Sequence, residues 1–256
     1  FGASASVASS GLVLIGMAAL IASTTIMARM VDFAGKEWKV AKSSIKFEKG
    51  QVLIGNQRIS FGDLARKVHG GRVSLSSTGF YSTPKITWDR PNGRGNPFFY
   101  FAYGASCSEV TIDTMTGEMR VDRVDILHDV GRSLNPAIDI GQIEGGFVQG
   151  MGWLTTEELV FDDKGRLRTH APSTYKIPCA SDVPADFRVK LYESGGNPAD
   201  SIYRSKAVGE PPLMLPISVW CAIADAVGSL KRGVIPMLAA PATPEAILRA
   251  VKGMQA

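Results

Sequence analysis

FFYFAYGASCSEVTI, Phe98 to Ile112, then TMTGE, Thr114 to Glu118, then MRVDRVDILHDVG, Met119 to Gly131, is the stretch on which the fold turns. Its first part is aromatic, its later part alternates polar with apolar, and a glycine-bearing turn separates it from a second alternating run. That pattern predicts a long antiparallel strand pair. Downstream, helical patterns occupy part of Ile138–Glu158, Ile217–Leu230 and Pro244–Lys252, the last opened by Thr243 as N-cap and Pro244 at the first helical position. A second hairpin is expected where Leu159–Phe161 and Arg166–Thr169 flank DDKG, and Phe187–Tyr192 reads as a further strand. Upstream, Val52–Ile59 folds as a short hairpin around Gly55 and Asn56, and Phe61–His69 as a short helix. Helices and hairpins alternate without regular βαβ units, so the sequence predicts an α+β fold rather than a doubly wound sheet.

Composition limits the choices further. The 256 residues are 45% hydrophobic and 8% aromatic, enough for a sizeable core and far from the make-up of a disordered chain. Lys and Arg total 28 against 24 Asp and Glu, a net charge of +4 with no basic run and no nucleic-acid module, so nucleic acid is not an expected partner. Cys107, Cys179 and Cys221 are odd in number and never in a CxxC pair, which argues against a disulfide framework, a zinc ribbon or an iron–sulfur site within the chain. A reducing, cytoplasmic compartment follows. His69, His128 and His170 lack metal-ligand spacing, so no metal is expected on protein side chains.

Phe1 in place of an initiator methionine leads us to expect a piece of a longer polypeptide. GLVLIGMAALIASTTIMARM, Gly11 to Met30, carries no charge before Arg29 and approaches the length of a membrane span. Ser23, Thr24 and Thr25, the uncharged amino-side flank and the soluble-looking sequence beyond favour a buried core helix over a membrane anchor or a signal peptide.

Three segments carry candidate chemistry. In KAVGEPPL, Lys206 to Leu213, Gly209 admits close approaches that a side chain would block, and Pro211 pushes Glu210 toward extended geometry. A general base gains from such stiffening because it has to stay within reach of the proton it removes; an exposed glutamate on a rigid loop is the plainer reading. In NPAIDIGQIEGGFVQGMG, Asn135 to Gly152, five glycines crowd a helical pattern. Each costs about 1 kcal/mol against alanine, so close approach of a backbone or a ligand is expected. Gln142, at the amino end, offers an amide suited to a flat heterocycle; Gln149 fits a solvent-facing amide better. SVASSG, Ser6 to Gly11, reads as an ordinary helix cap or as a small-residue anion site at a helix amino terminus.

These segments carry a resemblance. KAVGEPPL, SLNPAIDIGQIEGGFVQGMG (Ser133 to Gly152), PSTYKIP (Pro172 to Pro178) and STGFYSTP (Ser77 to Pro84) together resemble the carboxy-terminal portion of the molybdenum-binding subunit of the xanthine dehydrogenase family of molybdenum hydroxylases. The likeness spans nearly the whole chain, in the family's order. It implies that residues 1–256 are the carboxy-terminal part of a molybdopterin-binding region, with mixed antiparallel hairpins and helices, whose amino-terminal part lies elsewhere.

By that resemblance Glu210 is the catalytic base, Gln142 hydrogen-bonds the molybdopterin, Val208 offers it backbone contact, and Ala8, Ser9, Ser10 and Gly11 form the small-residue loop around the pterin and its phosphate. The family's loop continues with an aspartate and an asparagine where this chain has Val13 and Ile15. The implied reaction hydroxylates a purine with oxygen from water, as in purine catabolism; an aldehyde oxidoreductase of the same family, or a non-catalytic assembly module with the same fold, is the alternative. FAD and iron–sulfur clusters are expected on other domains or subunits, in an oligomer with the rest of the molybdenum subunit and without a membrane. The residues that choose between purine and aldehyde lie upstream, so the chain alone is expected to be inactive.

Overall fold

The computed structural model describes Ser9, residues 11–193 and residues 195–255. The chain divides into two units, Phe1–Phe99 and Tyr100–Ala256.

In the first unit, helix α1 (Gly11–Glu37) is followed by strands β1 (Ile45–Glu48), β2 (Gln51–Ile54) and β3 (Gln57–Ser60), helix α2 (Phe61–Gly70) and a small hairpin of β4 (Thr87–Asp89) with β5 (Arg94–Asn96). The β2–β3 hairpin turns at Gly55 and Asn56 as expected, with Ile54 opposite Gln57 and Gly55 at φ +57°. β1 joins it as a third antiparallel strand that the sequence reading missed. α2 opens at Ser60, whose Oγ accepts from the Asp63 N–H at 3.0 Å, and buries Leu64 and Val68, four residues apart on one face. Both sink into a core with Val52 and Ile54 from β2 and Met30 and Ala34 from α1.

The expectation of a buried core helix at Gly11–Met30 needs correction. α1 runs on to Glu37, yet only Val13, Met30 and Ala34 are buried, while Leu12, Ile15, Ile21 and Met27 are exposed. A helix apolar on every side is buried only if something covers every side. Here the core contact comes from Ile26 onward, and Arg29 adds two bonds to the carbonyls of Ser74 and Ser76. By length and composition α1 is able to cross a membrane. The stretch Pro211–Gly228 passes the same measure, a weak signal, since part of it is a core helix.

The second unit is built on a three-stranded sheet, β6 (Gly104–Ile112), β7 (Met119–His128) and β8 (Asp186–Leu191), with β7 central. β6 and β7 are the antiparallel pair read from the sequence, although the strand starts at Gly104 and leaves the aromatic run ahead of it. Val121, Val124 and Ile126 all face the core, which strict alternation forbids. A bulge resolves this: Glu109 opposes Arg123 while Val110 opposes Val121, so Asp122 is the extra residue that resets the phase.

β8 pairs with β7 in parallel, and the connection between them carries helix α3 (Pro136–Thr155). Ile143, Phe147 and Met151, four residues apart, face that core, and the Phe147 ring lies 5.3 Å from that of Phe187 on β8. Helix α4 (Ile217–Gly228) buries Val219, Ile223 and Val227 and docks on β6 through hydroxyls, Ser106 donating to the Leu215 carbonyl at 2.6 Å and Ser108 pairing with Ser218 at 2.7 Å. Helix α5 (Pro244–Gln255) starts as predicted, the Thr243 hydroxyl accepting from the Ala246 N–H at 3.3 Å. The hairpin expected around DDKG contracts to a single bridge, Phe161 to Leu167. Leu159, Val160 and Phe161 are exposed, so no packed face holds longer strands there.

Candidate functional site

α3 begins at Asn135, whose side chain accepts from the Ile138 N–H, with Pro136 at the first helical position. Ser133 donates to Asp139 at 2.5 Å and ties the preceding loop to the first turn. Beside the core-facing residues runs a bare strip. A Cβ on Gly146 would stand 3.0 Å from the Pro212 side chain; one on Gly150 would stand 2.3 Å from the Leu213 carbonyl oxygen and 2.9 Å from Pro216. The close backbone approach expected from the glycine crowding is thus made at these two positions by KAVGEPPL and the residues after it. Gly141 and Gly145 face open space.

KAVGEPPL arrives already tethered. Ser205 bridges to Gly131, the Lys206 N–H donates to the Val130 carbonyl at 2.8 Å, and the Ala207 N–H donates to the Tyr100 hydroxyl at 3.0 Å. The Lys206 ammonium meets Asp129 Oδ2 at 2.6 Å, with both side chains at least nine-tenths buried. Just upstream, Asn197, Ser201 and Ser205 form a buried knot: the Asn197 amide and the Ser201 hydroxyl both donate to the Ser205 carbonyl. Val208 is half-buried against the core of this unit.

Glu210 does not adopt the extended backbone that Pro211 predicts. Its φ of −105° and ψ of −36° are right-handed helical, and it stands as N-cap of a 3-10 turn, Pro211–Met214, its carbonyl accepting from the Leu213 N–H at 2.9 Å. That hydrogen bond and the packing of the turn on Gly146 and Gly150 outweigh the pre-proline preference.

The Glu210 residue is exposed, as is Gln142. Their neighbourhood follows from the direction of packing. Gly146 meets Pro212, and Gly150 meets Leu213 and Pro216, so the two segments run the same way. One turn back from Gly146, about 6 Å along the axis, is Gln142; two residues back from Pro212 is Glu210. By backbone position, Glu210 and Gln142 therefore both lie toward the amino-terminal end of α3.

Gln142, Val208 and Glu210 all belong to the second unit. Ser9, in a turn at φ +50°, and Gly11, first residue of α1, belong to the first. Ala8 and Ser10 lie outside the described residues. Sequence reasoning missed Asp129, Tyr100 and Asn197, which meet the loop only through tertiary contacts; their one signal was an acid, Asp129, ending a strand pattern. It also missed His128, which is 1% exposed with neither ring nitrogen hydrogen-bonded among the described residues. Burial holds His128 below the usual histidine pKa; the Asp129 carboxylate opposes that shift and the Lys206 ammonium adds to it.

Residues 2–184 match the family described as the molybdopterin cofactor-binding domain. The chain belongs to that family. The chain is 52% identical over 185 residues to the xanthine dehydrogenase/oxidase of Felis catus, covering 70% of this chain and 14% of that protein. It is 43% identical over 245 residues to the xanthine dehydrogenase of Oryza sativa subsp. japonica, covering 91% and 16%. It is also 49% identical over 180 residues to aldehyde oxidase 2 of Macaca fascicularis, covering 69% and 13%. The chain thus spans about a seventh of the length of the curated relatives it matches. Its fold matches that of the copper- and molybdenum-containing CO dehydrogenase at a TM-score of 0.77, with 19% identity, 96% of this chain and 30% of that one. Quinoline 2-oxidoreductase of Pseudomonas putida 86 gives a TM-score of 0.71 at 26% identity, covering 90% and 28%. The mixed α+β architecture is the one it shares with these two structures.

The residues at the start of α3 fit one wall of a pterin site. Gln142 is exposed and the helix surface at Gly141 and Gly145 is uncovered. Among the described residues, no group of three or more His, Cys, Asp and Glu is disposed to hold a metal ion.

Proposed function

We propose that this chain is the carboxy-terminal part of a xanthine dehydrogenase-type molybdenum hydroxylase and that Glu210 is its general base. The observation that supports the reading is the parallel seating of the Glu210 turn on the Gly146–Gly150 strip, which puts the backbone of Glu210 toward the same end of α3 as Gln142. The bound molybdenum cofactor would supply the Lewis acid and the two-electron acceptor. A carboxylate oxygen of Glu210 takes the proton from the water-derived oxygen that attacks the electron-poor carbon of a purine. Gln142 donates and accepts through its amide to orient the pterin, Val208 presents backbone to it, and Ala8, Ser9, Ser10 and Gly11 hold its phosphate. Substrate-recognition groups, FAD and iron–sulfur clusters come from the rest of the subunit and from its partners, in a cytoplasmic oligomer.

The test is Glu210→Ala in the full-length enzyme. Turnover falls by about 10²–10⁴ with molybdenum content unchanged, the range a positioned base supplies. Undiminished turnover would remove Glu210 from the role. Near-equal identity to aldehyde oxidase 2 favours a second reading, an aldehyde as substrate. Parallel assays of the full-length protein with xanthine and with an aromatic aldehyde decide between them.

A further inference from the structure

We propose that Lys206 and Asp129 are positioning residues that hold the Glu210 carboxylate in register with the start of α3; this rests on the reading of Glu210 as base. Burying two charges is costly, and an apolar pair of similar volume often serves stability equally well or better. What an ion pair adds is direction. The Lys206 ammonium meets Asp129 Oδ2 at 2.6 Å and stands 5.3 Å above the Tyr103 ring, and Asp129 Oδ1 accepts from the Gly131 N–H at 2.8 Å. The backbone at Lys206 and Ala207 is fastened separately, to Val130 and to Tyr100. Only Ala207, Val208 and Gly209 separate this anchor from Glu210, and the next anchor, Pro212 on Gly146, begins two residues beyond it. The base thus sits on a span fixed at both ends, with the ion pair holding its amino side.

The experiment uses full-length holoenzyme carrying Lys206→Met, Lys206→Arg or Asp129→Asn, each alone and combined with Glu210→Gln. Lys206→Met keeps molybdenum content, holds KM within about twofold and lowers kcat by about tenfold or more, since a misplacement of about 1 Å costs up to about 10² in rate. Lys206→Arg recovers part of that loss. In the Glu210→Gln background the same substitution costs less than about twofold, because the group it positions is already gone. A full tenfold loss in that background, or a loss carried by KM or metal content, overturns the proposal. Undiminished turnover in Glu210→Gln alone overturns the base reading instead. Should the single variants fail to fold, Lys206→Met with Asp129→Leu leaves no lone buried charge. Lowered kcat in that folded double variant supports the proposal, and wild-type kcat refutes it.

Discussion

Gly150 faces the carbonyl oxygen of Leu213 with no room for a side chain, since a Cβ there would lie 2.3 Å from it. The contact is backbone against backbone, and neither partner is able to swing away. It fixes how far along α3 the Glu210 turn sits.

Gly150→Ala therefore overpacks the junction and lowers stability by about 1–3 kcal/mol, against the helix propensity that alanine brings. Gly145→Ala, with open space before it, has the opposite sign and gains up to about 1 kcal/mol. Urea unfolding of the two variants checks the contrast. Equal effects from both would show that the strip is not a close contact.

Gln142→Leu keeps the helix and removes the amide. One hydrogen bond to the pterin contributes about 0.5–1.5 kcal/mol, so cofactor retention weakens by roughly 2–13-fold while the fold persists. Molybdopterin released per mole of full-length protein, compared with thermal midpoint, is the measurement. Full retention would mean that Gln142 faces only solvent.

His128 gives the fold an acid-sensitive point. Its folded pKa lies below the unfolded value of about 6.5, so the unfolded chain binds more protons once the pH drops toward that value. Its contribution is fully present above about pH 6.5 and is lost as the pH falls below it toward and through the folded pKa. Unfolding free energy measured from pH 7.5 down to 5.5 decreases in the wild type, and His128→Gln flattens that part of the slope. An unchanged slope would place the acid sensitivity elsewhere.

Asp129→Asn leaves the Lys206 ammonium buried without its counter-charge and destabilises the fold by about 3–5 kcal/mol. Removing both charges, as Asp129→Leu with Lys206→Met, recovers most of that loss. Denaturation of Asp129→Leu, Lys206→Met and their combination under one buffer gives the coupling directly. Additive losses would mean that the pair does not act as a unit.

The sequence was most legible where local rules and packing agreed. Thr243 and Pro244 start α5, Gly55 and Asn56 turn the β2–β3 hairpin, and the alternation around TMTGE makes the β6–β7 pair. It misled where a neighbour decided. Pro211 calls for an extended Glu210, but the 3-10 turn on the α3 glycines pulls that residue into helical geometry. Leu159–Phe161 has the composition of a strand and finds no surface to pack on.

The candidate site divides in the same way. Glu210 and Gln142 stand as candidates from the sequence because proline, glycine and amide spacing is local, and because the quoted segments resemble a family. Asp129 was not, since 77 residues separate it from the Lys206 it pairs with.

Residue order alone determined the element types in most of the chain, the glycine-rich character of α3 and the stiffness of KAVGEPPL, all properties of neighbouring residues. Only the tertiary structure decided that β8 runs parallel to β7, that Asp122 bulges, that α1 leaves Leu12, Ile15, Ile21 and Met27 exposed, and that Lys206 buries its charge against Asp129. These depend on which surfaces meet across long loops, and burial and Coulomb energies are fixed by distance in space rather than along the chain.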